Sequence, residues 1–150
     1  MIKSILVAVD GSEPSKRAVD LAAELAAKGG ASLTLLNVQP HRARGTVPEE
    51  FAVYARIEHI ELSQAELRRQ AAEEILGQAE TRARANGASH VATLMEVGDP
   101  ATVIAGVARA GEFDLVALGR RGLGDVSGLL LGSVSHEVAH LAPCAVLTTP

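Results

Sequence analysis

The chain has 150 residues, 47% hydrophobic and 21% charged, which suits one domain with a real core and excludes a disordered chain. Fourteen Lys and Arg against eighteen Asp and Glu leave a net charge of −4, and the aromatics are Phe51, Tyr54 and Phe113. That balance offers neither a basic footprint nor stacking platforms for nucleic acid. A single cysteine, Cys144, excludes an internal disulfide, and no apolar run approaches the roughly 18 residues of a membrane span.

Ile2 to Val9 is a β-branched-rich run that ends at the turn signal Asp10-Gly11-Ser12, the pattern of a strand buried on both faces of a parallel sheet. This start lacks the long apolar region and small-residue cleavage site of a signal peptide, so a cytoplasmic protein is expected. Ser12 reads as an N-cap with Pro14 in the first turn, and Ala18, Leu21, Ala22 and Leu25 follow at helical spacing until Gly29-Gly30. A second strand is predicted over 31–38 and a surface loop over 39–56. A long helix is predicted over 57–86, with Leu67, Ala71, Ile75, Ala79 and Ala83 inward and a capping box at Ser63 and Glu66 that marks a start or a break.

Ser89 to Val97 reads as the third strand. Asp99-Pro100 opens a helix to about Ala110, with Val103, Ile104 and Val107 inward. Leu115 to Leu118 forms the fourth strand and runs into Gly119. A glycine-rich loop fills 120–131, a fourth helix starts near Gly132-Ser133 and ends before Pro143, and Cys144 to Thr148 forms the fifth strand. Strands alternating with helices predict a single α/β domain over residues 1–150, an open parallel sheet with helices on both faces.

Ligands of such sheets bind at the carboxyl ends of strands, where the strand order reverses. Asp10-Gly11-Ser12 follows strand one, and Gly119-Arg120-Arg121-Gly122 follows strand four. If those strands are neighbours, both turns open onto one crevice. Glycine lets backbone N–H groups approach an anion, and Gly132, Ser133, Val134 and Ser135 open a helix whose first N–H groups are unpaired. Two arginines and two serine hydroxyls add donors, so the segment reads as a phosphate cradle. A flexible glycine loop with Ser133 as a helix cap fits the same composition. Asp10 also fits a helix-start carboxylate satisfied locally, and Arg120 either meets a phosphate or points to solvent. A Walker loop is absent, as is G-x-G-x-x-G after strand one.

Gly119, Gly122, Gly132 and Ser133 match G-x2-G-x9-G-[S/T] at every fixed position. The spacing resembles the nucleotide signature of the ATP-binding branch of the universal stress protein family. ILVAVDGSEPSKRAVDLA, VGDPATVIAGVARAGEFDLVALGRRG and GSVSHEVAHLAPCAVLTT extend the resemblance over the chain. The resemblance implies five parallel strands in the order 3-2-1-4-5, which makes strands one and four neighbours. It implies that Asp10 meets the adenine and ribose region and that the Val38 backbone meets the adenine edge. It places Gly119 and Gly122 against ribose and phosphate, and Gly132 to Ser135 around the phosphates. Arg120 suits the same phosphates by its charge alone.

The ligand so implied is ATP, with magnesium or manganese, in a regulatory or sensory stress-response role with no catalytic residue. A slow ATPase or adenylate-transferring enzyme, or a nucleotide-free interaction module, are the alternatives. An uncharged fifth strand at a sheet edge predicts a homodimer through Ala145 to Thr148, and the resemblance implies the same. A downstream protein partner is implied without being identified.

His136-Glu137-Val138-Ala139-His140 matches H-E-x-x-H. With Val134 and Val138 inward beside Leu141 and Ala142, about 100° per residue puts both histidines on the outer face. Neither proteolysis nor a resident metal site is expected, and surface zinc or nickel binding by the two imidazoles stays open. Cys144 reads as a small buried hydrophobe.

Overall fold

A computed structural model describes residues 1–41, 64–123 and 131–150. The elements run β1 (Ser4–Ala8), α1 (Glu13–Gly29), β2 (Ser32–Gln39), α2 (Gln64–Ala85), β3 (Val91–Val97), α3 (Pro100–Ala110), β4 (Leu115–Gly119), α4 (Ser133–Leu141) and β5 (Ala145–Thr149). All neighbouring strands pair in parallel, in the order β3-β2-β1-β4-β5. The α/β class and the strand order are therefore those expected, and β1 and β4 lie side by side.

The central strands are the most deeply buried. Ile5, Leu6, Val7 and Val116 have no exposed surface, as a strand covered on both faces requires. On one face α1 and α2 pack Ala18, Val19, Ala22, Leu76 and Ala83 onto Ile5, Val7, Leu33 and Leu35. On the other, α3 and α4 pack Ala101, Ile104, Ala108 and Val138 onto Leu6, Leu36, Val116 and Leu118. Alanines at the helix contacts let the helices approach the sheet closely, while the bulk comes from the strands.

The helix ends follow the local chemistry. Ser12 caps α1 by accepting from Ser15 N–H at 3.3 Å, and Gly30 closes it in the left-handed conformation at φ 67°. Asp99 caps α3 by accepting from Thr102 N–H at 3.0 Å, with Pro100 in the first turn.

The inward faces differ in detail from the sequence reading. In α2 the buried residues are Ala72, Leu76, Ala79 and Ala83 with Ile75 partly covered, and Ala71 is exposed. Ala71-Ala72 and Ile75-Leu76 are adjacent apolar pairs, so periodicity alone does not choose between them; the sheet surface does. Leu21, at helical spacing with Ala18 and Ala22, is 38% exposed, and Leu141, read as part of the inward stripe of α4, is 41% exposed. The predicted helical start over 57–63 with Ser63, the 42–56 portion of the loop and the 124–130 portion of the glycine-rich segment lie outside the described residues. No described helix is long and apolar enough to cross a membrane.

Candidate functional site

Three strand ends and one helix start meet at the carboxyl edge of the sheet. Val9 continues β1 by donating its N–H to Leu36 O at 2.8 Å. Asp10 and Gly11 then turn the chain into α1. Gly11 sits at φ +84°, a conformation that L side chains rarely adopt. Asp10 is half-buried; its Oδ1 accepts from Ser12 N–H at 2.9 Å, and its own N–H is donated to Ser15 Oγ at 3.2 Å. Locally satisfied through Oδ1, it still directs Oδ2 towards the β4 side, where a Cβ on Gly122 would lie 2.6 Å from that oxygen. Gly122 is thus the residue that lets the β4 turn lie against the Asp10 carboxylate.

Gly119 has a different reason to be glycine. A Cβ there would lie 2.8 Å from Pro14 Cβ and 2.9 Å from Ser15 N, within the first turn of α1. The glycine lets β4 end tightly beneath the helix that follows β1.

Arg120 joins the remaining parts. Its N–H donates to Thr149 O of β5 at 2.6 Å, and its carbonyl accepts from Gly132 N–H at 2.8 Å. Ser135 Oγ also donates to Arg120 O at 2.7 Å and lies 3.0 Å from Gly132 O. The Ser135 hydroxyl hydrogen is therefore directed at backbone carbonyls, and what Ser135 offers an anion is its N–H. The Arg120 side chain is half-buried, and its Nε is sealed from solvent with no hydrogen-bond partner among the described residues. A buried guanidinium donor left unpaired is costly unless an acceptor completes it.

Gly132 is the N-cap of α4 and supplies no side-chain cap. The N–H groups of Ser133, Val134 and Ser135 therefore start the helix without an intrahelical acceptor or a capping side chain. Ser133 is exposed, and Val134 is partly buried against the α3–α4 face of the core. Val38, near the end of β2, packs against the same core face and stands opposite Glu96 of β3 in register.

Asn37 belongs to none of the motifs in the sequence. It is buried, its Nδ2 donates to Val9 O at 2.8 Å, and its Oδ1 accepts from Gln39 Nε2 at 2.5 Å. It ties the ends of β1 and β2 between Asp10 and Val38. An amide inside the apolar run Leu33–Val38 was the available signal, since a buried polar side chain needs a defined partner.

A separate cleft of about 220 Å³ opens between α1 and α2, over Val9, Val19, Ile75 and Ala79. Its cations already have partners. Lys16 pairs with Glu13 at 2.7 Å, and Arg82 holds Asp20 through two contacts of 2.6 Å. It shares Gly11 with the turn after β1 but none of the residues at the end of β4 or the start of α4.

The model of the universal stress protein family matches residues 1–150. The chain is 33% identical over 147 residues to the universal stress protein YxiE of Bacillus subtilis, covering 98% of each. Among solved structures it resembles UspA from Lactobacillus plantarum, at 26% identity and TM-score 0.77, over 99% of this chain and 98% of that one. It also resembles a universal stress protein solved in complex with cAMP, at 28% identity and TM-score 0.72, over 99% and 97% of the two chains. With the strand order, the glycine spacing and the whole-length match in agreement, the chain belongs to the universal stress protein family.

Proposed function

We propose that the crevice at the ends of β1, β2 and β4 binds an adenine nucleotide, ATP, with its phosphates over the first turn of α4. A magnesium or manganese ion would accompany the phosphates. The observation that carries this reading is the buried Nε of Arg120, which has no hydrogen-bond partner among the described residues, beside a helix start whose N-cap, Gly132, offers no capping side chain. Both are N–H donors that an anion would satisfy, and a helix N-terminus favours negative charge. The structural relative solved with cAMP supports an adenine nucleotide as the ligand class. In this reading Asp10 faces the ribose, the Val38 backbone meets the adenine edge, Gly119 and Gly122 bring backbone close to the ribose and phosphates, and Gly132 to Ser135 hold the phosphates through N–H groups.

The role so proposed is regulatory or sensory binding in a cytoplasmic protein, relayed to a downstream protein, and not rapid turnover. Asp10 is tied to Ser12 N–H, and its Oδ2 lies where a Cβ on Gly122 would meet it, which supports a role in holding a ligand and not in turnover. The same reading has two copies joined through β5. The protein itself supplies the test. Freshly purified protein, denatured with acid, should release adenine nucleotide on chromatography, and incubation with ATP and magnesium should yield little phosphate. Protein that carries no nucleotide and takes none up, or that releases phosphate steadily, would overturn the reading.

A further inference from the structure

We propose that His136 and His140 form a two-imidazole site for a borderline divalent cation, zinc, nickel or copper, on the outer face of α4. The two residues are one helical turn apart at i and i+4, and both side chains are exposed. Their ring centres lie 4.8 Å apart. An ion held at about 2.1 Å by an imidazole nitrogen lies roughly 3.2 Å from that ring's centre. Two rings 4.8 Å apart then subtend about 97° at a shared ion, between a right angle and the tetrahedral angle. The planes stand at 78°. Rotation about χ2, a broad torsion in histidine, turns a nitrogen towards the ion while leaving the ring centre almost in place.

The chemistry sets the ion class. Neutral imidazole suits zinc, nickel and copper, whereas magnesium and manganese prefer oxygen ligands. This site therefore differs from that of any cation accompanying nucleotide phosphates. Among the described residues no cluster of three or more His, Cys, Asp or Glu could hold a metal, so water would fill the other coordination positions. Val138, between the two histidines, is buried against the sheet, which turns the pair to solvent and away from a shaped cleft. The H-E-x-x-H spacing here gives a chelate on a surface helix, not the centre of a protease.

The ion would also act on the helix that carries it. Helix α4 has nine residues, among them two serines, two valines and two histidines, all modest helix formers, and no capping side chain at its start. A cross-link from one turn to the next would stabilise it. The inference stands on the histidine pair alone and does not depend on the nucleotide reading.

The full-length chain, stripped with chelator, is titrated calorimetrically with zinc chloride or nickel chloride alone, beside His136→Ala, His140→Ala and His90→Ala. Both α4 substitutions fall on exposed side chains, and circular dichroism establishes that the variants fold. The expected result is one ion per chain, with affinity at least about tenfold weaker in either α4 variant and unchanged in His90→Ala. Nickel should raise the melting temperature of the wild type and of His90→Ala only. No uptake by the wild type, or equal uptake by the folded His136→Ala and His140→Ala chains, would overturn the proposal.

Discussion

Gly119 and Gly122 stand three positions apart yet meet different neighbours, and substitution separates them. A methyl group on Gly119 meets backbone and Pro14 in the first turn of α1, where little can yield. Gly119→Ala should lower stability by about 1–3 kcal/mol, the usual cost of overpacking, read as a lower urea midpoint. A methyl group on Gly122 meets only the end of the Asp10 side chain, which can rotate away. Gly122→Ala should cost less stability while displacing the carboxylate, so that ATP affinity falls more than the midpoint does. Equal midpoints for the two variants would count against this division. The spacing of these glycines was legible in sequence; their separate reasons were not, because each depends on an element more than 100 residues earlier in the chain.

At the scale of elements, alternation and end signals located the strands and helices. Ser12, Gly30 and Asp99 act at the helix ends where their local chemistry places them. The facing of α2 escaped the sequence because two adjacent apolar pairs fit the period equally well. Leu141 is the last residue of α4 and is 41% exposed, so the period of the helix does not decide its burial. The joint between β1 and β4 makes a pH prediction. Asp114 Oδ2 accepts from the N–H groups of Lys3 and Ser4 at 2.8 and 3.0 Å, and these bonds hold its carboxyl below its ordinary pKa. Asp99 is lowered likewise by the Thr102 hydroxyl and N–H. A lowered folded-state pKa means that the folded chain binds the proton less readily than the unfolded one. The contribution to stability is therefore complete above the ordinary carboxylate value and is lost as pH falls through the lowered one. The urea midpoint should hold from neutral pH to about 5 and fall below about 4. Asp114→Asn should make that fall shallower. A wild-type midpoint flat down to about pH 3 would contradict the assignment.

For the whole molecule, the sheet leaves β5 at one edge. Thr149 O accepts from Arg120 N–H, so strand alternation turns the N–H and C=O of Val146 and Thr148 outward. An uncharged edge of this kind invites a two-fold partner strand. Val146→Pro removes an outward N–H and spares the bonds to β4, so light scattering should move from twice the chain mass towards one. A wild type already monomeric at micromolar concentration, or a variant that stays dimeric, would defeat the dimer model. The central claim, that the strand ends and the first turn of α4 bind ATP, rests most directly on Arg120. Calorimetric titration of ATP with magnesium into the wild type and Arg120→Met tests it. Methionine keeps much of the side-chain length and removes a buried donor that has no partner among the described residues, so the variant should fold with undiminished stability. The predicted result is one site per chain in the wild type and affinity at least about tenfold weaker, about 1.4 kcal/mol, in the folded variant. A folded wild type that takes up no ATP, or a variant that binds it equally well, would contradict the account.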